Sequence, residues 1–134
     1  MSAASDYLEN KVLDHVLKYS TAPYTGAATL YLALFTANTG LETNSPSAEV
    51  STSGSAYIRK TVTFATASSG QSATNATVTF DTATANWGTI THVAVMDAES
   101  SGNVLFHGAV TTSKTIETGD TFQVTSGNLT VSLA

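Results

Sequence analysis

The chain has 134 residues, a formal net charge of −5 and a charged fraction of only 11%. Its five Lys and Arg residues are too few for nucleic-acid binding or for an anionic membrane surface, since both depend on clustered basic side chains. The absence of cysteine excludes disulfides and thiolate metal sites.

Length and patterning predict a single domain over residues 1–134. Within it we expect an N-terminal helical arm over 1–20 and a β-sandwich over 28–134 that carries a long loop at 37–55. The N-terminus lacks the basic and apolar regions of a signal peptide, and no run approaches the length of a membrane span. We therefore expect a soluble protein without a cleaved secretory signal.

The first predicted element is a helix from Asp6 to Tyr19. Asp6 is the expected N-cap, and Glu9 follows at capping-box spacing. Apolar side chains recur every three or four residues, at Leu8, Val12, Leu13, Val16, Leu17 and Tyr19. A helix of about 14 residues is marginal on its own, so we expect it to dock on its own sheet or on a neighbouring subunit.

Residues 28–36 are apolar on both alternating faces, which predicts a strand buried on both sides. Residues 37–55 are rich in Asn, Thr, Ser and Gly and show no periodicity. A loop of this length is typical of a partner-contacting segment, although a mobile surface loop is an equally good interpretation.

Residues 57–65 and 76–80 alternate and predict a half-exposed hairpin. Its first strand should point Ile58, Val62 and Phe64 inward and Arg59, Thr61 and Thr63 outward.

The central hairpin is predicted from two apolar runs, 90–96 and 104–110, joined by a turn rich in Ser, Gly and Asn. Trp87, the only tryptophan, precedes the first run and is interpreted as a core anchor at a sheet end. A last hairpin is expected between 122–124 and 129–133. The fold class predicted from this pattern is mainly β: an antiparallel β-sandwich or jelly-roll-like barrel of seven to eight strands with one N-terminal helix.

No catalytic, cofactor-binding or metal-binding residue is predicted. His92 and His107 approach each other if the central hairpin is symmetric, but zinc sites need three or four ligands and His15 lies on the helix. Most of the remaining acids fall at strand ends or turns, where they cap backbone groups; these are Asp81, Asp97, Glu99, Glu117 and Asp120. Nucleophile-elbow, zinc-protease and nucleotide-binding motifs are all absent, so we expect no enzyme.

Several blocks, in this order along nearly the whole chain, resemble a family of small virion proteins of tailed bacteriophages that are commonly labelled tail-fibre-like. The blocks are 7–10, 31–36, 57–64, 87–92, 105–108, 112–114 and 119–122. The resemblance implies a virion protein, assembled in the bacterial host cytoplasm, and it brings no catalytic residues with it.

Four functions compete at this point. The first is a capsid cement or decoration protein that oligomerises, as a trimer for example, and clamps subunits of the major capsid protein; small size, low charge and two segments able to act as arms favour it. The second is a tail-fibre or baseplate component. The third is a carbohydrate-binding module that stacks sugars on Trp87 or on exposed tyrosines, and the fourth, an enzyme, has the least support.

Overall fold

A computed structural model describes residues 3–133, in which nine strands and one helix are present. The elements, in chain order, are β1 (Ala3–Ala4), α1 (Asp6–Leu17), β2 (Leu30–Phe35), β3 (Lys60–Val62), β4 (Gln71–Ala73), β5 (Val78–Thr79), β6 (Gly88–Met96), β7 (Val104–Ile116), β8 (Gln123–Val124) and β9 (Thr130–Ser132). All strand pairs are antiparallel. The predicted class, mainly β with one helix near the N-terminus, is confirmed.

The main sheet has five strands in the order β1-β7-β6-β2-β3. β6 and β7 form the predicted central hairpin, and β6 lies in the middle of the sheet against β2. The apolar pattern of β2 is explained by this position, because Leu32 through Phe35 are all buried. β7 extends to Ile116, six residues beyond the predicted end of the run at residue 110.

The ladder between β6 and β7 contains a bulge. Ile90 pairs with Lys114 and His92 pairs with Ala109, so four residues of β7, 110–113, lie opposite the single residue Thr91. These four side chains are exposed or half-buried. A bulge of this kind interrupts the ladder and leaves its extra residues unpaired.

The second layer consists of two small sheets, β4 with β9 and β5 with β8. The strand pairing predicted for two hairpins is therefore wrong. β5 was expected to pair with the 57–65 segment but pairs with β8, and β9 was expected to pair with β8 but pairs with β4. The turn at 68–71 does form, and it closes the short ladder that joins Ala65 to Ala73. Strands of two or three residues carry too little periodicity to specify a partner.

The main core lies between the two layers and is centred on aromatic rings. Tyr57 and Phe80 stack at 6.0 Å between ring centroids, and the Trp87 ring meets Tyr57 edge-on at 5.5 Å. Phe122 contacts Phe80 edge-on at 5.9 Å. The opposite face of the main sheet forms a second cluster that includes Phe35, which explains why the central strands are apolar on both faces.

The 37–55 loop contributes side chains to the clusters on both faces of the main sheet. Leu41 inserts fully into the second cluster, and Val50 is buried in the main core. The loop backbone forms hydrogen bonds with β2 and with the residue that follows it. For example, the Val50 N–H donates to the Leu34 carbonyl at 3.1 Å. Asn44 accepts from the Val104 N–H at 2.8 Å, which ties the loop to the start of β7.

Helix α1 begins one residue earlier than the predicted cap implies. Ser5, not Asp6, is the N-cap, and its buried hydroxyl oxygen accepts from the Leu8 N–H at 3.3 Å while donating to the Val104 carbonyl. Leu8 packs on Ala4 and Leu105, so the first half of the helix docks on the main sheet. No helix among residues 3–133 is long and apolar enough to cross a membrane.

Candidate assembly surface

Each of the three histidines has a different bonding partner. His15 Nδ1 accepts from the Tyr24 N–H at 3.0 Å. His92 and His107 lie diagonally on one face of the central hairpin, where His92 contacts the Thr91 hydroxyl and His107 Nε2 lies 2.7 Å from a Glu42 carboxylate oxygen. Burial, followed by the charge of His107, lowers the pKa of His92. The hairpin therefore brings these two side chains near each other, as the symmetric interpretation required.

Two of the five acids predicted to cap backbone groups, Asp97 and Asp120, do so. Asp97 accepts from the Asn103 N–H at 2.6 Å and closes the β6–β7 turn, while Asp120 accepts from the Glu117 N–H at 2.9 Å. Asp81 forms an ion pair with Lys60 at 3.0 Å. These contacts give Asp97, Asp120 and Asp81 structural roles.

The sequence did not predict a cluster of three acidic side chains that the structure brings together. Oxygen atoms of Asp6, Glu9 and Glu42 lie within 4.8 Å of one another, and all three side chains are exposed. Glu42 is distant in sequence and reaches the helix because its carbonyl accepts from the Asp6 N–H at 2.9 Å. The group concentrates negative charge at the start of α1.

Arg59 is buried, which corrects its predicted outward orientation. Its Nε and Nη2 donate to the two oxygens of Glu49, each at 2.8 Å, and its Nη1 donates to the carbonyls of Ala98 and Ser101, also at 2.8 Å. The predicted inward residue Ile58 is instead exposed. Burial disfavours the charge of Arg59, but the hydrogen bond and the charge of Glu49 outweigh it and raise its pKa.

The Arg59 network extends into the core through Tyr57. The Tyr57 hydroxyl donates to Glu49 at 2.8 Å and accepts from the Leu34 N–H at 3.0 Å. A surface hollow of about 300 Å³ borders the network, with Ile58 and Glu99 also at its wall. Because Arg59 and Tyr57 are already bonded within the protein, these side chains hold the loop, β2 and the hairpin turn together.

Trp87 is a core anchor, as predicted. The side chain is only 5% exposed, and its indole N–H donates to the Ser55 carbonyl at 2.8 Å. A buried indole offers no face for a sugar ring to stack on. The carbohydrate-binding interpretation of Trp87 is therefore wrong.

The exposed apolar surface of the protein is concentrated at the end of α1. Leu13, Val16, Leu17 and Tyr19 are 55%, 70%, 75% and 66% exposed, respectively. Among residues 3–133, only Ile58 and Leu133 are large apolar side chains of comparable exposure. Large apolar side chains left this exposed within one short segment are typical of sites that contact other molecules. We call the four residues the helix patch.

A small β-rich module with a buried tryptophan, turn-capping acids and one helical apolar patch has the features of a structural protein that assembles with other proteins. The chain matches, over residues 3–132, the family described as podophage GP4 fiber I protein gp80, and it belongs to that family. The expected resemblance to tail-fibre-like phage proteins is thereby confirmed, and the chain is a structural protein of the phage virion. No curated protein matches the chain.

Proposed function

We propose that the protein is a non-enzymatic component of the phage fibre, held in the virion through the helix patch. The single observation that carries this proposal is the exposure of four large apolar side chains on one short segment, 13–19. Burying them against protein is favourable by roughly 25 cal/mol per Å² of apolar surface removed from water. The family supports the fibre assignment.

The surroundings of the helix patch fit contact with other virion proteins rather than with nucleic acid or membrane. The helix and its C-cap residue contain only two lysine or arginine side chains, Lys11 and Lys18. Clustered basic residues, which phosphate groups require, are lacking across the whole sequence, where Lys and Arg total five. We further propose that assembly takes place in the host cytoplasm, since a chain without cysteine depends on no oxidising compartment.

A capsid cement protein is the second candidate, favoured by the charged fraction of 11%, because few strongly hydrated side chains would need to be desolvated in a broad interface. A clamp between capsid subunits also needs segments that reach outward. The 37–55 loop packs on its own sheet through Leu41 and Val50, so α1 alone would supply that reach. The fibre is therefore the better-supported location.

Virion incorporation of patch variants tests the proposal. Leu17→Glu places a charge in the middle of the patch, and Lys11→Glu, on a different face of the same helix, is the matched control. We expect Leu17→Glu to fold but to be lost from purified virions, while Lys11→Glu is incorporated like the wild type. Normal incorporation of Leu17→Glu would refute the role of the patch.

Location is tested by immunogold labelling and by mass-spectrometric stoichiometry of intact particles. Label confined to the tail region with a low copy number is the expected result. Label over the whole head, with a copy number matching the capsid subunits, would favour the cement protein instead.

A further inference from the structure

The strands follow one another around the main core and leave one opening. The chain beyond β3 bonds to residues 73–75, with the Asn75 N–H donating to the Thr63 carbonyl at 3.1 Å, and β5 then pairs with β8. The sequence of neighbours thus runs from β7 through β6, β2, β3 and β5 to β8. Among residues 3–133, no backbone hydrogen bond joins β8 to β7, so the ring of strands is open between these two.

Both strands that border this opening have a free edge in the described chain. β1 pairs only with Phe106 and His107, and beyond them β7 pairs with β6 alone. β8 pairs only with β5. The Phe80 N–H donates to the Phe122 carbonyl at 2.9 Å, which sets the alternation of this antiparallel ladder, so the Gln123 N–H and carbonyl point away from β5. Unpaired backbone groups along an edge are a template for another strand.

A hollow of about 500 Å³ lies between the two free edges. We call it the β7–β8 gap; residues 110–112, 114 and 116 of β7 border it on one side and residues 121–125 on the other. Its apolar side chains are buried or half-buried, and Val110 and Val124 pack against the main core. Its threonine hydroxyls and side-chain amides are exposed. This lining suits a strand that alternates apolar and polar residues, because the two sets point to opposite faces.

The gap carries a single positive charge. Lys114 is the one charged side chain among the described residues that border it, and it is exposed. Lys114 forms no ion pair within residues 3–133. An acidic side chain on a bound strand would therefore pair with it. Two copies of the gap placed edge to edge would instead bring two Lys114 side chains together with no acid between them, which disfavours a second copy of this chain as the occupant.

The lining also favours polypeptide over sugar. A sugar ring stacks on an exposed aromatic face, and the one aromatic residue that borders the gap, Phe122, is only 7% exposed. An extended peptide presents N–H and carbonyl groups along both of its sides, which match the free edges of β7 and β8. The β8 side, residues 121–125, offers about 17 Å of edge at 3.4 Å per residue, which is enough for about five residues.

We propose that the β7–β8 gap binds an extended segment of about five residues from another protein of the virion, which adds a strand between β7 and β8. The segment alternates apolar and polar residues and places an acidic side chain beside Lys114. Main-chain hydrogen bonds to the two edges hold it, and its apolar side chains extend the main core. That the partner belongs to the virion rests on the proposed function, but the gap shares no residue with the helix patch.

Calorimetric titration of the full-length protein with synthetic peptides tests strand addition. The probes are acetylated and amidated heptapeptides that alternate valine with threonine and carry one aspartate, placed at each position in turn. We expect at least one of them to bind with a Kd between about 10 μM and 1 mM, in keeping with a contact below standard size. Absence of binding by every peptide at about 1 mM would overturn the proposal.

Methylation of the peptide nitrogens tests whether the segment lies between two edges. Successive N–H groups of a strand point to opposite sides, so one alternate set faces β7 and the other faces β8. Methylating either set of the tightest peptide removes its donors, and we expect binding at least about tenfold weaker in both cases. Binding that neither methylated set weakens, or that only one set weakens, would overturn insertion between β7 and β8.

Charge reversal tests the position of the acidic residue. Lys114→Glu should bind the aspartate peptide about fivefold more weakly than the wild type, and the corresponding lysine peptide about fivefold more tightly. Lys11→Glu, on helix α1, is the matched control and should bind both peptides like the wild type. Equal affinities in Lys114→Glu and Lys11→Glu would show that the peptides bind elsewhere and would overturn the assignment of the gap.

Photo-crosslinking in intact virions tests the identity of the occupant. With Gln123 replaced by benzoylphenylalanine, we expect a crosslink to one segment of a different virion protein that alternates apolar and polar residues. A crosslink to a second copy of this chain would overturn the proposal. Maltoheptaose, titrated as a neutral sugar probe, should not bind, and its binding at the gap in place of the peptides would also overturn it.

The outcomes separate this proposal from the proposed function. If the peptides bind while Leu17→Glu enters virions normally, strand addition stands and the role of the helix patch fails. If no peptide binds while Leu17→Glu is lost from virions, the helix patch keeps its role and strand addition is refuted.

Discussion

Replacing Arg59 by Ala is expected to destabilise the protein strongly. The change leaves the Glu49 carboxylate without its cation and removes the donor shared by the Ala98 and Ser101 carbonyls. Breaking a buried ion pair by removing one partner costs about 3–5 kcal/mol. The Arg59 side chain is 6% exposed but Glu49 is 26% exposed, so we expect a loss of about 3 kcal/mol, near the lower end.

Urea unfolding and thermal melting measure this loss, and about 3 kcal/mol corresponds to a fall in Tm of roughly 10 °C for a domain of this size. Lys60→Ala is the matched control, since the adjacent residue forms an ion pair of similar length, 3.0 Å, with the exposed Asp81. Exposed ion pairs contribute little, so this control should lose less than about 1 kcal/mol.

A double-mutant cycle isolates the pair itself. Glu49→Ala alone also removes the acceptor of the Tyr57 hydroxyl, but the double variant no longer contains an unpaired buried charge. We expect the double variant to be more stable than the sum of the single losses by about 2 kcal/mol. Additive losses, or an Arg59→Ala variant as stable as Lys60→Ala, would refute the assignment of this network as the link between loop, sheet and hairpin turn.

Three further predictions address the turn glycines, the buried phenol and the histidines. Gly40→Ala should cost more than about 3 kcal/mol in urea unfolding, because a Cβ there would lie 1.9 Å from a backbone oxygen at φ +74°. Gly54→Ala, also at positive φ but with open space around it, should cost only about 1 kcal/mol, and equal losses would contradict the packing argument. Burial, followed by the charge of a neighbouring glutamate, raises the pKa of Tyr57, so stability is intact below about pH 10 and falls at higher pH as the unfolded phenol ionises first. Urea unfolding of the wild type and of Tyr57→Phe at a series of pH values checks this, and identical losses of stability in both proteins above about pH 10 would count against it. Added zinc should leave the Tm unchanged, and a rise that disappears in both His92→Ala and His107→Ala would reverse this expectation.

The strands that could be predicted from the sequence are those with a long apolar pattern that continues over the whole strand. β2 and β6 are apolar on both faces because loop and second layer cover them, and Trp87 was correctly interpreted as a core residue. The pairing of β5 with β8 could not be predicted, because two residues carry no register and the partners lie far apart in sequence.

Arg59 shows why alternation of polar and apolar residues mispredicts which side chains are buried when a buried charge is bound by groups inside the protein. Its segment has Tyr57 and Arg59 buried and Ile58 exposed, the reverse of the predicted phase, and the ordinary phase resumes at Val62. The only sequence signal was the acidic Glu49 in a loop otherwise poor in charge. The helix patch was likewise hidden within a single wide stripe, because periodicity alone does not separate a docked face from a free one.

The four-residue bulge of β7 has a consequence for how this chain tolerates change in length. Deleting one residue from a regularly paired stretch of β6 or β7 would turn every later side chain of that strand to the opposite face of the sheet. Residues 110–113 belong to neither flanking ladder segment, so chain length can vary there while Ala109 and Lys114 keep their partners. Insertions and deletions accumulated by members of the family should gather at this point of the hairpin, and a foreign peptide placed there should leave the sheet intact.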